Sequence, residues 1–405
     1  MPSETTSEAT APATELTPSQ RRKSLTAMMI CAFIAGISFG VFISMLSVIL
    51  EVWGVEPTVI GLNSAMPILG IIVASFFLPA VLRRLGTLRT IFAGIAIEII
   101  ALLLLPTFPD VGAWFVIRFF AGLGIAAQWV ISETWVNTVA EEKNRGLTIG
   151  IFAGLLGGGI AIGPLIIVAV GIDGYTPFLI GAALALASAL PLLFARKVVP
   201  RIEVERAKNL RWVLKFAPII MIVAVISGLG DEAIFTLLPV YGMHAGLAQD
   251  DAIFMLTVFA AGTAILQVPI GWLADRIGRR IMLLFCATIG FIGPVVLPFV
   301  LMNTTQLYVA LFIWGGTVWG VYGLAITLLG ERFRPSELTQ ASALFVMIYS
   351  AGSLAGPPIG GGAMDLWDPH GLPVVVGSAL FLVVAIAGIA WILGAESERV
   401  ESPSD

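Results

Sequence analysis

Cationic side chains are scarce in this chain, and where they are missing says more than their number. Of 22 lysines and arginines in 405 residues, all but Arg118 sit at the two ends or in every second gap between long apolar runs. The intervening gaps have none. Charged residues of both signs make up 12% of the chain and hydrophobic ones 58%, which excludes an ordinary soluble domain. The only two cysteines, Cys31 and Cys286, fall inside separate apolar runs and read as packing residues, which leaves no basis for a disulfide scaffold. Two histidines, His244 and His370, lie in different turns with no ligand spacing around them, so neither a metal nor another cofactor is expected. No G-x-x-x-x-G-K-[ST] phosphate loop is present, which excludes intrinsic primary pumping. An enzyme would need a nucleophile and base at one depth, and a sensor would need a soluble output domain. The residues supply neither.

What is present is an alternation. Cationic loops stay cytoplasmic while the opposite loops are depleted of Lys and Arg, so the pattern predicts a multi-pass protein of the bacterial cytoplasmic (inner) membrane, both termini inside. The inside set runs from Arg21, Arg22 and Lys23 through Arg83, Arg84 and Arg89 to Lys143 and Arg145. It continues from Arg196 to Lys215, then Arg276, Arg279 and Arg280, Arg332 and Arg334, and Arg399. The outside turns carry acids instead: Glu51, Glu56, Asp110, Asp173, Asp250, Asp251, Asp365 and Asp368. A span needs roughly 20 mostly apolar residues, and twelve are expected, at 24–50, 57–82, 88–105, 111–137, 145–170, 175–195, 212–241, 252–274, 280–301, 306–329, 338–364 and 372–393. The first lacks a cleavage site and outruns a signal peptide's core, so it is retained as a span.

The fold class expected is therefore an all-α polytopic membrane protein with twelve transmembrane helices in two six-helix bundles. A Ser/Thr/Pro/Glu-rich tail at 1–20 is expected to be disordered. The N-terminal bundle follows at 21–195, a cytoplasmic linker at 196–211, the C-terminal bundle at 212–395 and a short tail at 396–405. The halves read as copies. A shift of 192 residues carries Gly36 onto Gly228, Leu46 onto Leu238, Val48 onto Val240 and Gly86 onto Gly278, and a shift of 193 carries Gly163-Pro164 onto Gly356-Pro357. Repeats of this kind place a binding site between the halves near midplane.

The residues Gly271-Trp272-Leu273-Ala274-Asp275-Arg276-Ile277-Gly278-Arg279-Arg280 resemble the G-x-L-a-D-R-x-G-R-R loop of the major facilitator superfamily. Arg118-Phe119-Phe120-Ala121-Gly122-Leu123-Gly124-Ile125-Ala126 is similar to that superfamily's motif in the fourth span. The stretch from Trp129 to Asn137 and Ser353-Leu354-Ala355-Gly356-Pro357 resemble its YcaD-like branch. The resemblance implies the major facilitator fold and a transporter. It also implies that the loop acid sits against a helix start across the domain interface, where a carboxylate is favourable by about 0.3–1 kcal/mol, and helps latch one conformation. The first-half copy has Arg83 where the acid belongs. One inside latch is expected, made of Asp275, Arg276, Arg279 and Arg280; the alternative is that these arginines only set topology. The superfamily's antiport-associated G-x-x-x-G-P-x-x-G-G is incomplete in the fifth span, which reads Gly159-Ile160-Ala161-Ile162-Gly163-Pro164-Leu165-Ile166-Ile167-Val168. The full form lies in the eleventh, Gly352 to Gly361, and both copies read as packing surfaces.

Ionisable residues inside spans are costly and mark function or a structural pair. There are five: Glu98, Arg118, Glu133, Asp231 and Glu232. Glu98 and Arg118 lie at similar depth in the hairpin of the third and fourth spans, so an ion pair is expected, either a proton-linked switch or a structural pair. Glu133 shares one stripe with Trp129 and Asn137 and carries substrate or a proton, or braces the helix. Asp231 and Glu232 point about 100° apart, so one can face the cavity while the other packs, with Glu232 the stronger proton-coupling candidate. Phe39, Phe42, Trp129, Phe235, Trp314, Trp319 and Tyr322 lie on spans that line the central cavity of the resembled fold. They are cavity candidates for an aromatic or amphipathic solute, or ordinary bundle packing.

The function expected is secondary active transport of a small organic solute by alternating access, coupled to protons. Drug or metabolite efflux, or lipid flipping on the same scaffold, is the alternative. The expected partners are the solute, protons and the bilayer, without nucleic acid, and the chain is expected to act as a monomer.

Overall fold

The computed structural model describes residues 17–200, 211–333 and 335–392. The tail expected at 396–405, and the greater part of the 1–20 tail and the 196–211 linker, lie outside the described residues. The elements are α1 (Pro18–Val52), α2 (Pro57–Leu85), α3 (Thr87–Thr107), α4 (Val111–Val139), α5 (Arg145–Val170) and α6 (Thr176–Phe194). After the short α7 (Arg211–Phe216) come α8 (Pro218–His244), α9 (Gln249–Ile277), α10 (Arg279–Val300), α11 (Thr304–Arg332), α12 (Pro335–Leu366) and α13 (Gly371–Ile392). Among the described residues twelve helices are long and apolar enough to cross a membrane, and none forms a strand.

One expected span is corrected. The helix anticipated at 212–241 is broken: α7 ends at Phe216, and Ala217 leaves helical geometry at φ −134°, ψ 49°. Pro218 is the cause. It has no N–H to donate, and its ring pushes the preceding residue out of the α region, so a new helix starts with proline in its first turn.

The repeat reappears in the packing. In the first half α1 packs on α5 and α6, α2 on α4, and α3 on α4 and α6. In the second half α8 packs on α12 and α13, α9 on α11, and α10 on α11 and α13, the same pairs in the same order. Gly86 and Gly278 occupy equivalent turns, with φ of 77° and 99°, a left-handed conformation that glycine adopts without steric cost. Each sits at a chain reversal between paired helices, where the cationic residues collect.

Close backbone approach holds these pairs together. A Cβ on Gly40 would stand 2.4 Å from the Ile160 carbonyl oxygen of α5, and one on Gly228 would stand 2.1 Å from that of Tyr349 in α12. The halves meet through α2 on α12, α5 on α9 and α1 on α8. Between α2 and α12 the same device recurs: a Cβ on Gly61 would stand 2.1 Å from the Pro357 oxygen, and one on Gly361 would stand 2.1 Å from that of Pro57.

These last contacts lie toward the acid-bearing end, and polar bonds tie the halves there. The Thr58 backbone N–H donates to Asp365 Oδ2 at 3.0 Å, and the Thr58 hydroxyl donates to the same oxygen. The His244 ring lies between Glu51 Oε1, 2.8 Å from Nε2, and Asp368 Oδ1, 2.5 Å from Nδ1.

Close packing at Gly228 sets up a paired test. Gly228→Ala drives a methyl into the Tyr349 carbonyl and is expected to cost about 1–3 kcal/mol, seen as a lower unfolding temperature in detergent. Gly154→Ala, with nothing within 4 Å of its Cβ position, is expected to leave that temperature unchanged or raise it by helix propensity. Equal effects at the two sites would contradict the packing argument.

Candidate functional site

Arg118, two turns into α4, is 2% exposed. A guanidinium held inside a membrane bundle needs compensation, and the first half supplies part of it. Arg118 Nη1 donates to Asn63 Oδ1 at 2.8 Å and to Ser64 Oγ at 3.3 Å, both on α2. Its guanidinium carbon lies 5.6 Å from the centre of the Phe42 ring of α1, within cation–π range. Nε has no hydrogen-bond partner. The opposing charge comes from the other half: Glu232 of α8 lies within electrostatic reach of Arg118, beyond ion-pair contact.

The expected Glu98–Arg118 pair does not form. Glu98 Oε1 accepts a hydrogen bond from Ser38 Oγ of α1 at 3.2 Å, and that hydroxyl also lies 3.1 Å from the Gly181 oxygen of α6. A Cβ on Gly124 would stand 3.3 Å from the Glu98 backbone nitrogen, so Glu98 sits beside Gly124, six residues along α4 from Arg118, and not level with it. Glu98 turns toward α1 and α6 inside the first half, while Arg118 turns toward α2 and the second half.

Asp231 and Glu232 diverge as a 100° step requires. Asp231, 1% exposed, packs toward α12, where its Oδ2 accepts from the Tyr349 hydroxyl at 3.0 Å. Its Oδ1 has no partner. Glu232 is partly exposed. Glu133 on α4 is exposed and lies within electrostatic reach of Tyr322 on α11, which Asp231 also reaches. Of the three acids only Glu232 lies within electrostatic reach of Arg118; Asp231 is held by Tyr349 inside the second half, and Glu133 reaches Tyr322 across the interface.

The aromatic candidates separate into two groups. Phe39 and Trp129 pair at 5.1 Å between ring centres, both partly exposed. Across the interface, Trp319 lies 6.0 Å from Tyr322, and Tyr322 lies 5.4 Å from Phe345 and 4.8 Å from Tyr349. Phe42 is buried under Arg118, and Phe235 is buried edge-on against Phe259. Trp314 takes the packing alternative. It is 2% exposed, its Nε1 donates to the Gly290 oxygen of α10 at 3.0 Å, and it fills the space beside Gly293, so it packs the second half instead of facing the interface.

The loop residues also differ from the expected arrangement. Asp275 Oδ1 bonds Arg279 Nη2 at 3.2 Å, and Arg279 Nη1 bonds Glu331 Oε1 at 2.5 Å. Arg276 lies over the Trp272 ring at 3.7 Å. These bonds stay within the second half, because Asp275 and Arg279 flank the Gly278 reversal between α9 and α10 and α11 returns beside α10. Arg280 adjoins them on α10.

Sequence reasoning missed Asn63 and Ser64, the direct partners of Arg118. An Asn-Ser pair in an apolar stretch is a polar break that a buried donor would use. It also missed Tyr349, whose hydroxyl meets Asp231.

Comparison with known proteins agrees with this architecture. The model of the Major Facilitator Superfamily matches residues 28–253 and 220–404. The uncharacterized MFS-type transporter YfkF of Bacillus subtilis (strain 168) is 28% identical over 356 residues, covering 85% of this chain and 90% of its own. The uncharacterized MFS-type transporter YcaD of Escherichia fergusonii is 25% identical over 325 residues, covering 80% and 84%. Among solved structures, the nucleoside transporter NupG superposes with a TM-score of 0.71 at 14% identity, over 93% of this chain and 100% of that one. A bacterial homolog of the human lysosomal transporter Spinster, inward-facing and occupied, gives 0.73 at 14% identity, over 96% and 100%. Twelve membrane-crossing helices, repeated six by six around a charged interface, define a transporter scaffold. The chain belongs to the major facilitator superfamily.

Arg118→Ala leaves buried acceptors and Glu232 without a cation. It is expected to cost about 3–5 kcal/mol, read as a drop in unfolding temperature. Adding Glu232→Gln to that variant is expected to recover part of the loss. A double-mutant cycle with coupling under about 0.5 kcal/mol would show that the two residues do not interact.

Proposed function

We propose that this protein is a proton-coupled secondary transporter that moves a small organic solute across the bacterial cytoplasmic membrane by alternating access. The observation that carries the reading is Arg118 of one half facing Glu232 of the other without contact. A charge pair shared between the two halves is weakened by protonation of the acid and restored by its release, so it links proton occupancy to the relative position of the halves. Asp231 and Glu133 extend the acidic side of the same interface. The basic end is cytoplasmic, by the positive-inside rule. Closure at the acid-bearing end then corresponds to an inward-facing state, in keeping with the likeness to the inward-facing Spinster homolog.

The solute class is an aromatic or amphipathic molecule. Two partly exposed aromatic groups, Phe39 with Trp129 and Trp319 with Tyr322, flank the charged interface and can stack on a planar ring. Nucleosides, the substrates named for NupG, belong in a first panel with planar vitamins and with lipophilic drugs and dyes.

The test is a stability screen followed by transport. A ligand at 100 times its dissociation constant raises stability by about 2.7 kcal/mol, so a hit is visible as an upshift in unfolding temperature. The hit is then offered to proteoliposomes with an imposed pH gradient. Accumulation driven by that gradient is expected, and Glu232→Gln is expected to abolish it while leaving solute exchange intact. Equal accumulation with and without the gradient would overturn proton coupling, and drug hits with metabolites silent would favour efflux.

A further inference from the structure

The acid-bearing end holds a second cluster of titratable groups that the transport reading above does not use. His244, the last residue of α8, receives Glu51 Oε1 on Nε2 at 2.8 Å and Asp368 Oδ1 on Nδ1 at 2.5 Å. Glu51 ends α1 and belongs to the first half, while Asp368 follows α12 and belongs to the second. The other titratable groups of this end are differently engaged. Asp365 is taken up by Thr58, Asp110 caps α4 by accepting from the Ala113 N–H, the His370 ring packs edge-on to Trp367 at 5.9 Å, and Glu56, Asp173, Asp250 and Asp251 are exposed. Tyr241, one turn back on α8, has no partner for its hydroxyl. No Lys or Arg occurs in any turn at this end.

Hydrogen-bond chemistry sets the proton count. A neutral imidazole has one N–H and one lone pair, so it can donate to a single acceptor. An imidazole between two carboxylates therefore needs one more proton, carried on the second ring nitrogen or on one of the acids. The remaining Glu51 oxygen, Oε2, is buried with no partner, so a bare negative charge there is costly unless the ring opposes it. When the halves part at this end, Glu51 leaves with α1 and the reason for the extra proton goes with it.

We infer that His244, with Glu51 and Asp368, is a proton-binding site of the outer gate, separate from the carboxylates between the halves, and that closing this gate takes up one proton from the acid-bearing side. The inference deepens the proton-driven reading and rests on it for the two ends opening in turn. The sign follows from the donor count. Closure is fullest in acid, where the ring carries both protons, and weakens as pH rises and the second proton leaves. One linked proton shifts the open-to-closed ratio by up to about tenfold per pH unit. A proton arriving from outside thus helps seal the outer end behind a bound solute.

The experiment is a distance measurement in nanodiscs between spin labels at Phe108→Cys and Met302→Cys, with Cys31→Ser and Cys286→Ser removing the native thiols. Both labelled positions are exposed, and they lie in turns of opposite halves at the acid-bearing end. Scanned from about pH 5 to about pH 9, across the range in which a histidine titrates, the long-distance open population is expected to grow with pH. His244→Gln is expected to remove that dependence. His244→Lys, which keeps a cation that cannot titrate in this range, is expected to hold the closed distance throughout. A distance distribution independent of pH, or the same pH dependence in His244→Gln, overturns the inference. The two readings fail separately. Gradient-driven transport with a pH-independent gate removes the gate site and leaves the interface carboxylates, whereas a pH-dependent gate without gradient-driven transport does the reverse.

Discussion

Helices in a bilayer gain little by hiding apolar surface from one another, because lipid tails are as apolar as leucine. Their association rests on close van der Waals approach, which in this protein is backbone against backbone at glycine. Gly40 against Ile160 and Gly228 against Tyr349 join the first and fifth helices of each bundle, and Gly61 against Pro357 joins the bundles to each other. The polar chemistry depends on these contacts. With α8 seated on α12, Tyr349 reaches Asp231, and with α2 seated on α4, Asn63 reaches Arg118.

Glycine contacts occur within the halves and between them, so polar bonding is what sets the two kinds of contact apart. Within a half the glycine-mediated pairs recur in both copies, and the repeat pairs its helices in the same order twice. Between halves the contact is split among α2 on α12, α5 on α9 and α1 on α8. Its polar bonds at the acid-bearing end are made by exposed or half-buried groups such as Thr58, Asp365 and His244. Bonds of that kind exchange readily with water, so they can be remade as the halves move. Buried glycine contacts have no solvent substitute.

The sequence revealed the membrane class, the twelve spans and the repeat because those features are periodic or distributional. Lys and Arg placement and the constant offset of Gly36 and Gly228 survive without any knowledge of contacts. The interface was less legible. Counting along the α3–α4 hairpin put Arg118 and Glu98 at one height, whereas helix packing sets Glu98 beside Gly124 of α4. Which neighbour each faces depends on helix rotation, and that is set by packing at glycines spread over the whole bundle. Trp314 shows the same limit from the other side. Its position on α11 allowed a cavity role, and the space opened by Gly293 on α10 drew it into the second half. His244 was passed over because its partners, Glu51 and Asp368, are distant in sequence and belong to no spacing motif.

In alternating access, interactions confined to one half contribute equally to both end states and cancel from the equilibrium. A ligand shifts that equilibrium only through the difference between its affinities for the two states. The groups able to set direction are therefore those whose partners lie across the interface. In this chain they are few: Arg118 with Glu232, Glu133 near Tyr322, Glu51 with His244, and Thr58 with Asp365. Each includes an ionisable acid, and in Arg118 with Glu232 and Glu51 with His244 that acid faces a group whose attraction depends on its charge. Unit charges somewhat beyond contact, about 8 Å apart, interact by about 2 kcal/mol at an effective dielectric constant of 20. Adding or removing one proton at such a pair is thus comparable to the few kcal/mol that separate two populated conformations. On the proposed function, solute binding to the aromatic groups beside the pair enters the same balance, so proton and solute need not touch each other to be coupled.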